Sequence, residues 1–166
     1  MRVPLGQPLP TLRNTSLQTW IITGACMLLP LASLPVRADT DFIVSDETRA
    51  LKLPFSDAVR IDNLLVMSGQ LGVDPATFKL IDGGIEAETR QIFNNMQRIL
   101  ATNGADLGDI VKCTVMVADI NEWPRFNALY VTYFPAEKPA RSALGANGLA
   151  LGARVELECW AVLDNK

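Results

Sequence analysis

The residues best suited to chemistry in this chain are an arginine and a glutamate fifteen positions apart. Arg141 follows the stiff segment Lys138-Pro139-Ala140, and Glu156 interrupts a stretch that otherwise resembles an apolar strand. The chain contains no histidine, so the side chain that most often transfers protons near neutral pH is missing. Any catalysis must therefore use carboxylates, arginine, hydroxyls, thiols or backbone groups.

Arg141 is a candidate anchor for a small carboxylic acid. A planar guanidinium group binds a carboxylate through two parallel hydrogen bonds, a geometry that lysine lacks. Each such charge-assisted bond contributes roughly 1.5–3 kcal/mol where water is excluded. A structural salt bridge with an acidic neighbour explains the spacing equally well, so the sequence leaves both roles open.

Glu156 alternates with Glu158 on one strand face, and both carboxylates can simply be solvated there. If that face is buried between subunits, the pKa of Glu156 rises and the carboxyl group becomes a proton carrier near neutral pH. Gly69, in Ser68-Gly69-Gln70, lies at the end of a predicted strand. It either permits close backbone approach to a ligand or simply ends the strand.

Hydrophobic periodicity predicts the elements that must position these residues. Strands are expected at 42–44, 57–61, 64–68, 110–118, 141–144 and 154–162, and helices at 85–102 and from the N-cap Asn121 onward. Asp62-Asn63 suits a tight hairpin turn, Asn103-Gly104 ends the first helix, and Pro124 falls in the first turn of the second. Residues 69–84 and 145–152 are predicted loops. The order βββαβαββ predicts an α+β fold with both helices on one face of a mixed sheet.

The second face of that sheet is too apolar to meet water comfortably. In the last strand, one side carries Val155, Leu157, Cys159 and Ala161, and the other carries Glu156, Glu158, Trp160 and Val162. On strand 110–118, alternation puts Val111, Cys113, Val115 and Val117 on one side, and Met116 and Ala118 on the other, which would face water in a two-layer domain. We expect Met116 and either Leu65 or Met67 to join Trp160 there, so that identical sheets pack together in a homo-oligomer. The alternative is a monomer with scattered exposed apolar side chains.

The first 38 residues are predicted to be a cleaved signal peptide. Arg2 and Arg13 precede an uncharged apolar run at 20–35, and Val36-Arg37-Ala38 fits a cleavage site. A membrane anchor is disfavoured because the run is short and contains Gly24 and Pro30, and a lipid anchor at Cys26 because the run continues beyond it. We expect a domain at 39–166 that is periplasmic or secreted, without stable membrane association.

Charge and cysteine usage narrow the classes of partner. Removal of 1–38 takes away three of the 15 basic residues and none of the 18 acidic residues, leaving a net charge near 12 − 18 = −6. Such a surface repels phosphate backbones, so nucleic-acid binding is disfavoured. Cys113 and Cys159 lie on apolar strand faces, and we expect buried free thiols rather than a disulfide. No pattern indicates a metal site or a cofactor.

Several separated motifs together resemble the Rid family of reactive intermediate deaminases, also called YjgF. The resemblance covers about residues 42–162 and depends on Pro54-Phe55-Ser56-Asp57-Ala58, Ser68-Gly69-Gln70, Asn94-Asn95, 109–115, Asn127 with Tyr130 and Phe134, Pro139-Ala140-Arg141-Ser142 and Val155-Glu156-Leu157-Glu158. It implies a chorismate-mutase-like fold and a homotrimer with its sheets packed inward and a ligand cleft at each subunit interface.

The same resemblance implies hydrolysis of enamines and imines, such as 2-aminoacrylate, to 2-keto acids and ammonia, like that of a 2-iminobutanoate/2-iminopropanoate deaminase. Arg141 would bind the substrate carboxylate, Glu156 would polarise the attacking water, and backbone groups at Gly69 and Ala143 would hold the nitrogen end. Phe55 and Asn127 would also contact substrate. Phe55 stands where many members have tyrosine, and Ala143 where many have cysteine.

Two other functions compete with this hypothesis. A non-catalytic module could bind small carboxylates in the same interfacial cleft, without turnover. A nuclease or translation inhibitor is an old label for the family, which the acidic balance and predicted export oppose.

Overall fold

The computed structural model describes residues 38–164, so that the predicted signal segment lies, apart from Ala38, outside the described residues. The strands are β1 (Thr40–Ile43), β2 (Ala58–Ile61), β3 (Leu64–Met67), β4 (Gln70–Leu71), β5 (Ile110–Val117), β6 (Ala140–Gly145) and β7 (Val155–Val162). The helices are α1 (Asp46–Ala50), α2 (Gly84–Thr102) and α3 (Trp123–Tyr133), with short 3₁₀ turns at Leu107–Asp109, Ile120–Glu122 and Ala150–Gly152. The predicted order is confirmed, with α1 and β4 as additions.

All seven strands form one mixed sheet of order β1-β2-β3-β7-β5-β6, and β4 also pairs with β7. Only β5 and β6 run parallel, and α3 forms the crossover between them. The β2–β3 hairpin turns at Asp62, which has a φ of 53° as its turn requires. The sheet therefore ends at β6, the strand that carries Arg141.

Helices α2 and α3 cover one face of the sheet and enclose the hydrophobic core. The predicted inward side of β7 is confirmed, since Val155, Leu157, Cys159 and Ala161 are all fully buried. The main helix residues buried with them are Ile85, Ile92, Phe93, Met96 and Leu100 of α2 and Phe126 and Tyr130 of α3. The α+β prediction, with two main helices on one face, is therefore confirmed.

Two predictions about strand faces are wrong. Leu65 and Met67 point into the core and are 0% and 1% exposed, so the outward residues of β3 are Leu64 and Val66. On β5, Val111 is 45% exposed rather than inward. A register shift against β7 between positions 110 and 112 makes Val111 an extra residue, which turns it out of the alternation.

The face without helices carries a continuous apolar surface, which we call the open face. Cross-strand register aligns Phe42, Val59, Val66 and Trp160 in one row, and Ile61, Leu64 and Val162 in the next. Phe42 is 72% exposed, and Trp160 and Val162 are each 40% exposed. The single chain thus leaves the outward side of β7 uncovered, as its alternation predicts.

The start of α3 differs from the prediction. Asn121 is not the N-cap but lies inside the 3₁₀ turn, where its backbone N–H donates to the Asp119 carboxylate at 3.0 Å. Buried Glu122 holds this corner, because its two oxygens accept from Arg125 Nη1 at 3.0 Å and Arg154 Nε at 2.6 Å. The ion pairs attach α3 to the beginning of β7 and thereby fix the helix beside β6.

The two cysteines are paired, contrary to the prediction of free thiols. Cys113 of β5 and Cys159 of β7 are directly opposite each other, with Cα atoms 4.1 Å apart, and form a disulfide. Both residues are fully buried. The apolar surroundings of both cysteines are as predicted. Their disulfide, however, depends on the register between two strands that are distant in sequence.

Within residues 38–164, no helix is both long enough and apolar enough to span a membrane.

Candidate functional site

Arg141 lies on the helix-covered side of the edge strand β6. Its register partner on β5 is the buried Cys113, and in a parallel pair the two side chains point to the same face. The Arg141 guanidinium carbon is 4.7 Å from the centroid of the Trp123 ring and 4.4 Å from that of Tyr130. Both aromatic residues belong to α3, so the helix provides the surface on which the arginine lies.

The Arg141 guanidinium has no polar partner among residues 38–164: it forms neither a salt bridge nor a hydrogen bond there. Other arginines do, since Arg98, Arg125 and Arg154 all pair with glutamates. The alternative role as a structural salt bridge is therefore absent within the described chain. An exposed, unpaired guanidinium retains both nitrogen edges for a ligand carboxylate.

Two unpaired polar atoms lie on α3, the helix whose rings contact this arginine. Within the described residues, the buried side-chain atoms that lack a hydrogen-bond partner are Asn127 Oδ1 and Tyr130 Oη. Asn127 and Tyr130 are three positions apart and so are neighbours on the helix surface. Buried polar groups are normally satisfied, so this part of α3 has hydrogen-bonding capacity to offer a ligand or water.

Glu156 lies on the opposite, open face. Its register partner on β5 is Met116, which points away from the core. The side chain is half-buried, and burial raises the pKa of the Glu156 carboxyl, with the charge of Glu158 adding to the effect. A carboxyl group with a raised pKa can both accept and donate a proton closer to neutral pH.

Gly69 packs directly against the Glu156 carboxyl group. A Cβ atom at position 69 would overlap Glu156 Oε1 and lie 2.9 Å from its Cδ. The pairing with β7 is irregular here: Val66 pairs with Trp160 but Gln70 pairs with Leu157, so that one extra residue bulges between β3 and β4. The bulge brings the Gly69 backbone over the carboxyl group, and a side chain at position 69 is excluded by the space that Glu156 occupies.

Phe55 and Ala143 lie in different parts of the chain's surface: Phe55 is close to the Gly69 segment, and Ala143 is on the same strand as Arg141. Phe55 is 43% exposed, and its neighbour Ser56 accepts a 2.6 Å hydrogen bond through its carbonyl from Ser68 Oγ. That bond ties the Phe55 segment to Gly69. Ala143 lies two residues after Arg141 on β6, where every residue is exposed.

A single chain does not bring all predicted site residues together. Glu156, Gly69 and Phe55 form one group, which we call the carboxyl half-site. Arg141, Ala143 and Asn127 form a second group, which we call the arginine half-site. Because Glu156 and Arg141 project from opposite faces of the sheet and β5 lies between their strands, the two half-sites can meet only across a contact between two copies.

Sequence reasoning missed the aromatic support of Arg141. Trp123, Asn127 and Tyr130 follow the i, i+4, i+7 spacing of one helix stripe, but only Asn127 of these three was predicted as a site residue. The asparagine between the two aromatic residues of that stripe was the available signal.

A metal-binding cluster and a cavity are two further places where a site could lie. Within residues 38–164, no group of three or more histidine, cysteine, aspartate or glutamate residues could hold a metal ion. A half-open cavity of about 210 Å³ lies between α1, α2 and the loop after β4, lined among others by Ser45, Asp57, Phe78 and Arg98. It contains neither Arg141 nor Glu156.

A family model described as Endoribonuclease L-PSP matches residues 47–163 of this chain. The chain is 39% identical over 137 residues to the chloroplastic Reactive Intermediate Deaminase A of Arabidopsis thaliana, covering 81% of this chain and 73% of that protein. It is 41% identical over 109 residues to the 2-iminobutanoate/2-iminopropanoate deaminase of Mus musculus, covering 66% of this chain and 81% of that one.

Solved structures share the fold. A crystal structure of YyfA from Yersinia pestis, described as a protein of unknown function in the conserved Rid family, superposes with a TM-score of 0.70 at 32% identity. The match covers 75% of this chain and all of that chain.

Proposed function

This chain belongs to the Rid family, and on that premise we propose that it hydrolyses reactive enamines and imines, such as 2-aminoacrylate and its imine, to 2-keto acids and ammonia. The observation that carries the proposal is the unpaired guanidinium of Arg141, exposed beside α3 in a chain with 18 acidic residues. Relatives named as deaminases of this class support it.

Arg141 binds the substrate carboxylate. The guanidinium keeps its nitrogen edges free because its contacts in the chain are with ring faces. Two parallel hydrogen bonds would fix both the position and the plane of the carboxylate. The adjacent imine carbon is thereby held in one orientation, which supplies much of the rate advantage when the substrate is already electrophilic.

Glu156 positions and polarises the attacking water. Its carboxylate takes a proton as the water oxygen bonds to the imine carbon, and the electron pair of the C=N bond moves to nitrogen. The carboxyl group then returns that proton to nitrogen, which gives a carbinolamine. The Glu156 carboxylate next takes the proton of the carbinolamine hydroxyl and passes it to the nitrogen, so that the C–N bond breaks with ammonia as the leaving group while the C=O bond forms. Ammonia and a 2-keto acid are the products. The raised pKa of Glu156 fits both transfers.

The remaining residues hold the nitrogen end and the walls of the cleft. Backbone groups of Gly69 and Ala143 approach the substrate closely because neither residue carries a large side chain. Asn127 offers Oδ1, which has no partner in the described chain, and Phe55 offers an exposed ring. Since Ala143 has no thiol and Phe55 no hydroxyl, neither side chain takes part in proton transfer.

We also propose that the active unit is a homotrimer in which the open faces pack inward. Only association can unite the carboxyl half-site of one copy with the arginine half-site of the next. Trp160 and Val162 leave apolar surface exposed on the open face, and the exposed edge strand β6 adds unpaired backbone groups on its outer side. Both surfaces are typical of subunit contacts.

Export to the periplasm or beyond remains part of the proposal. In such a compartment the imino acids would come from amino-acid oxidation rather than from cytosolic pyridoxal-phosphate enzymes. The N-terminal sequence of protein recovered from the exporting host tests this: we expect it to begin at Asp39, and an unprocessed Met1 start would contradict it.

The activity is tested by generating imino acids in situ with an amino-acid oxidase and catalase and following keto-acid release. We expect the mature protein to accelerate release and Arg141→Ala to abolish the effect. Arg90→Ala is the matched control, because Arg90 is exposed on α2 and its side chain forms no hydrogen bond within the described chain. Equal rates with and without protein across several imino acids would contradict the proposal.

The same preparation separates the competing functions. Thermal stabilisation by 2-keto acids that requires Arg141, without any turnover, would identify a carboxylate-binding module instead. Cleavage of RNA by protein free of contaminating nuclease would identify a nuclease.

A further inference from the structure

Arg141 is held by aromatic rings, whereas Arg98, Arg125 and Arg154 are held by glutamates. Its guanidinium carbon lies within cation–π distance of two rings at once, 4.7 Å from Trp123 and 4.4 Å from Tyr130. By contrast, Arg125 forms hydrogen bonds to Glu86 and Glu122 through all three of its guanidinium nitrogens. Two arginines of one small domain are therefore held in chemically different ways.

An aromatic support suits an arginine that must bind a carboxylate. A glutamate partner would occupy the N–H edge and compete with the substrate for it, as Glu86 does on Arg125. A ring contacts the flat face of the guanidinium and leaves the edge free. The two contacts thus restrict the orientation of the charged group without neutralising its charge.

The two rings are themselves held in place. Tyr130 packs against Phe134 with centroids 4.9 Å apart and against Phe126 at 5.6 Å, and Trp123 also packs against Phe126 at 5.6 Å. Burial raises the pKa of Tyr130, so its hydroxyl stays protonated and the ring stays neutral. Position and charge of the support are therefore constant over the pH range in which the carboxylate binds.

We propose that Trp123 and Tyr130 are positioning residues, which orient Arg141 by their ring faces and thereby set the affinity of the site for the substrate carboxylate. This inference deepens the proposed function and rests on it. Neither residue is required to touch the reacting atoms.

The test measures the Kd of 2-oxobutanoate, a keto-acid product, by calorimetry, together with KM and kcat for the imino acid. Trp123→Leu and Tyr130→Leu are expected to raise Kd and KM by about 2- to 30-fold each, the range of a cation–π contact. The effect on kcat should be smaller, because binding of ground state and transition state weakens together. Tyr130→Phe and Trp123→Phe retain a ring and should recover most of the affinity.

Tyr133→Leu is the matched control for aromatic packing. Tyr133 stacks on Phe93 with centroids 3.8 Å apart and does not contact the guanidinium, so we expect lower stability with unchanged Kd. If Tyr130→Leu does not fold, Trp123→Leu carries the test, since Trp123 is only half-buried.

A double-mutant cycle decides whether the rings act through Arg141. In an Arg141→Ala background, Trp123→Leu should have no further effect on Kd. An undiminished effect there, or Leu variants that bind as tightly as Tyr133→Leu, would overturn the inference. Because binding is read directly, Arg141-dependent binding without turnover would overturn the proposed function while leaving the positioning role supported.

Discussion

The Glu156 carboxyl group fills the space that a side chain on Gly69 would occupy. A Cβ atom at position 69 would overlap Glu156 Oε1 and come within 3.2 Å of Cγ. Glycine is therefore required beside this carboxyl group because of space, since Gly69 does not have a positive φ. The contact links the bulge between β3 and β4 to the proposed proton carrier.

Gly69→Ala is expected to lower kcat/KM by about 100-fold, because the added methyl group displaces the carboxyl group by the order of an ångström. The stability cost should be about 1–3 kcal/mol, as for other overpacked sites. Steady-state kinetics and thermal unfolding of the same samples measure both. Gly108→Ala, in the remote 3₁₀ turn at Leu107–Asp109, is the control; equal activity of the two variants would refute the role of this contact.

The pH dependence of stability should report Glu156. Its folded pKa is raised by burial, so the folded state binds more protons than the unfolded state in the interval between the two pKa values. The stability that protonated Glu156 contributes to the folded state is therefore fully present below the unfolded pKa, and it is lost as pH rises through the folded pKa. Glu156→Gln cannot titrate, so the Tm of this variant relative to the unaltered protein should increase with pH across that interval. A pH-independent difference in Tm would contradict the raised pKa.

The activity should show the opposite pH trend to the stability, because it requires the deprotonated form of Glu156. Since the carboxylate form of Glu156 accepts the proton from water, kcat/KM should fall as pH drops through the raised pKa. The Gln variant should lose most activity and this acidic limb. An unaltered acidic limb in Glu156→Gln would assign the titration to another group.

Removing the disulfide should destabilise the domain without changing its architecture. Cys113 and Cys159 are separated by 46 positions, and closing a loop of that length stabilises by about 4 kcal/mol in the chain-entropy account. Reductant should therefore lower the Tm of the purified protein, and the Cys113→Ala/Cys159→Ala variant should be insensitive to reductant. An intact mass corresponding to two free thiols would show instead that the pair is reduced.

A charge on the open face should separate the subunits. Trp160→Glu places a carboxylate in the proposed contact, and we expect monomers in sedimentation analysis together with loss of deaminase activity, because the half-sites part. Val131→Glu is matched in exposure, at 41% against 40% for Trp160, but lies on α3 and should leave the assembly intact. Identical behaviour of both variants would argue against packing through the open face.

The order and type of the main elements were predictable because each buries a periodic face. The apolar residues that alternate in β7, and those that recur every three or four positions in α2, each predict the buried face of a single element. Both buried faces were confirmed. The alternation could not show which side of β3 faces the core, because Leu64-Leu65-Val66-Met67 has no polar residue to mark its outer side. The five-residue α1 and the two-residue β4 are too short to leave a periodic pattern.

The sequence by itself determined which side chains were available: no histidine, an arginine after Pro139-Ala140, and a glutamate on an apolar strand. Only the tertiary structure decided how they are combined. The Cys113–Cys159 bond, the rings beneath Arg141 and the contact of Gly69 with Glu156 all join residues from different elements. Such contacts depend on strand register and helix docking, which are set by the packing of the whole domain and have no signature within any one segment.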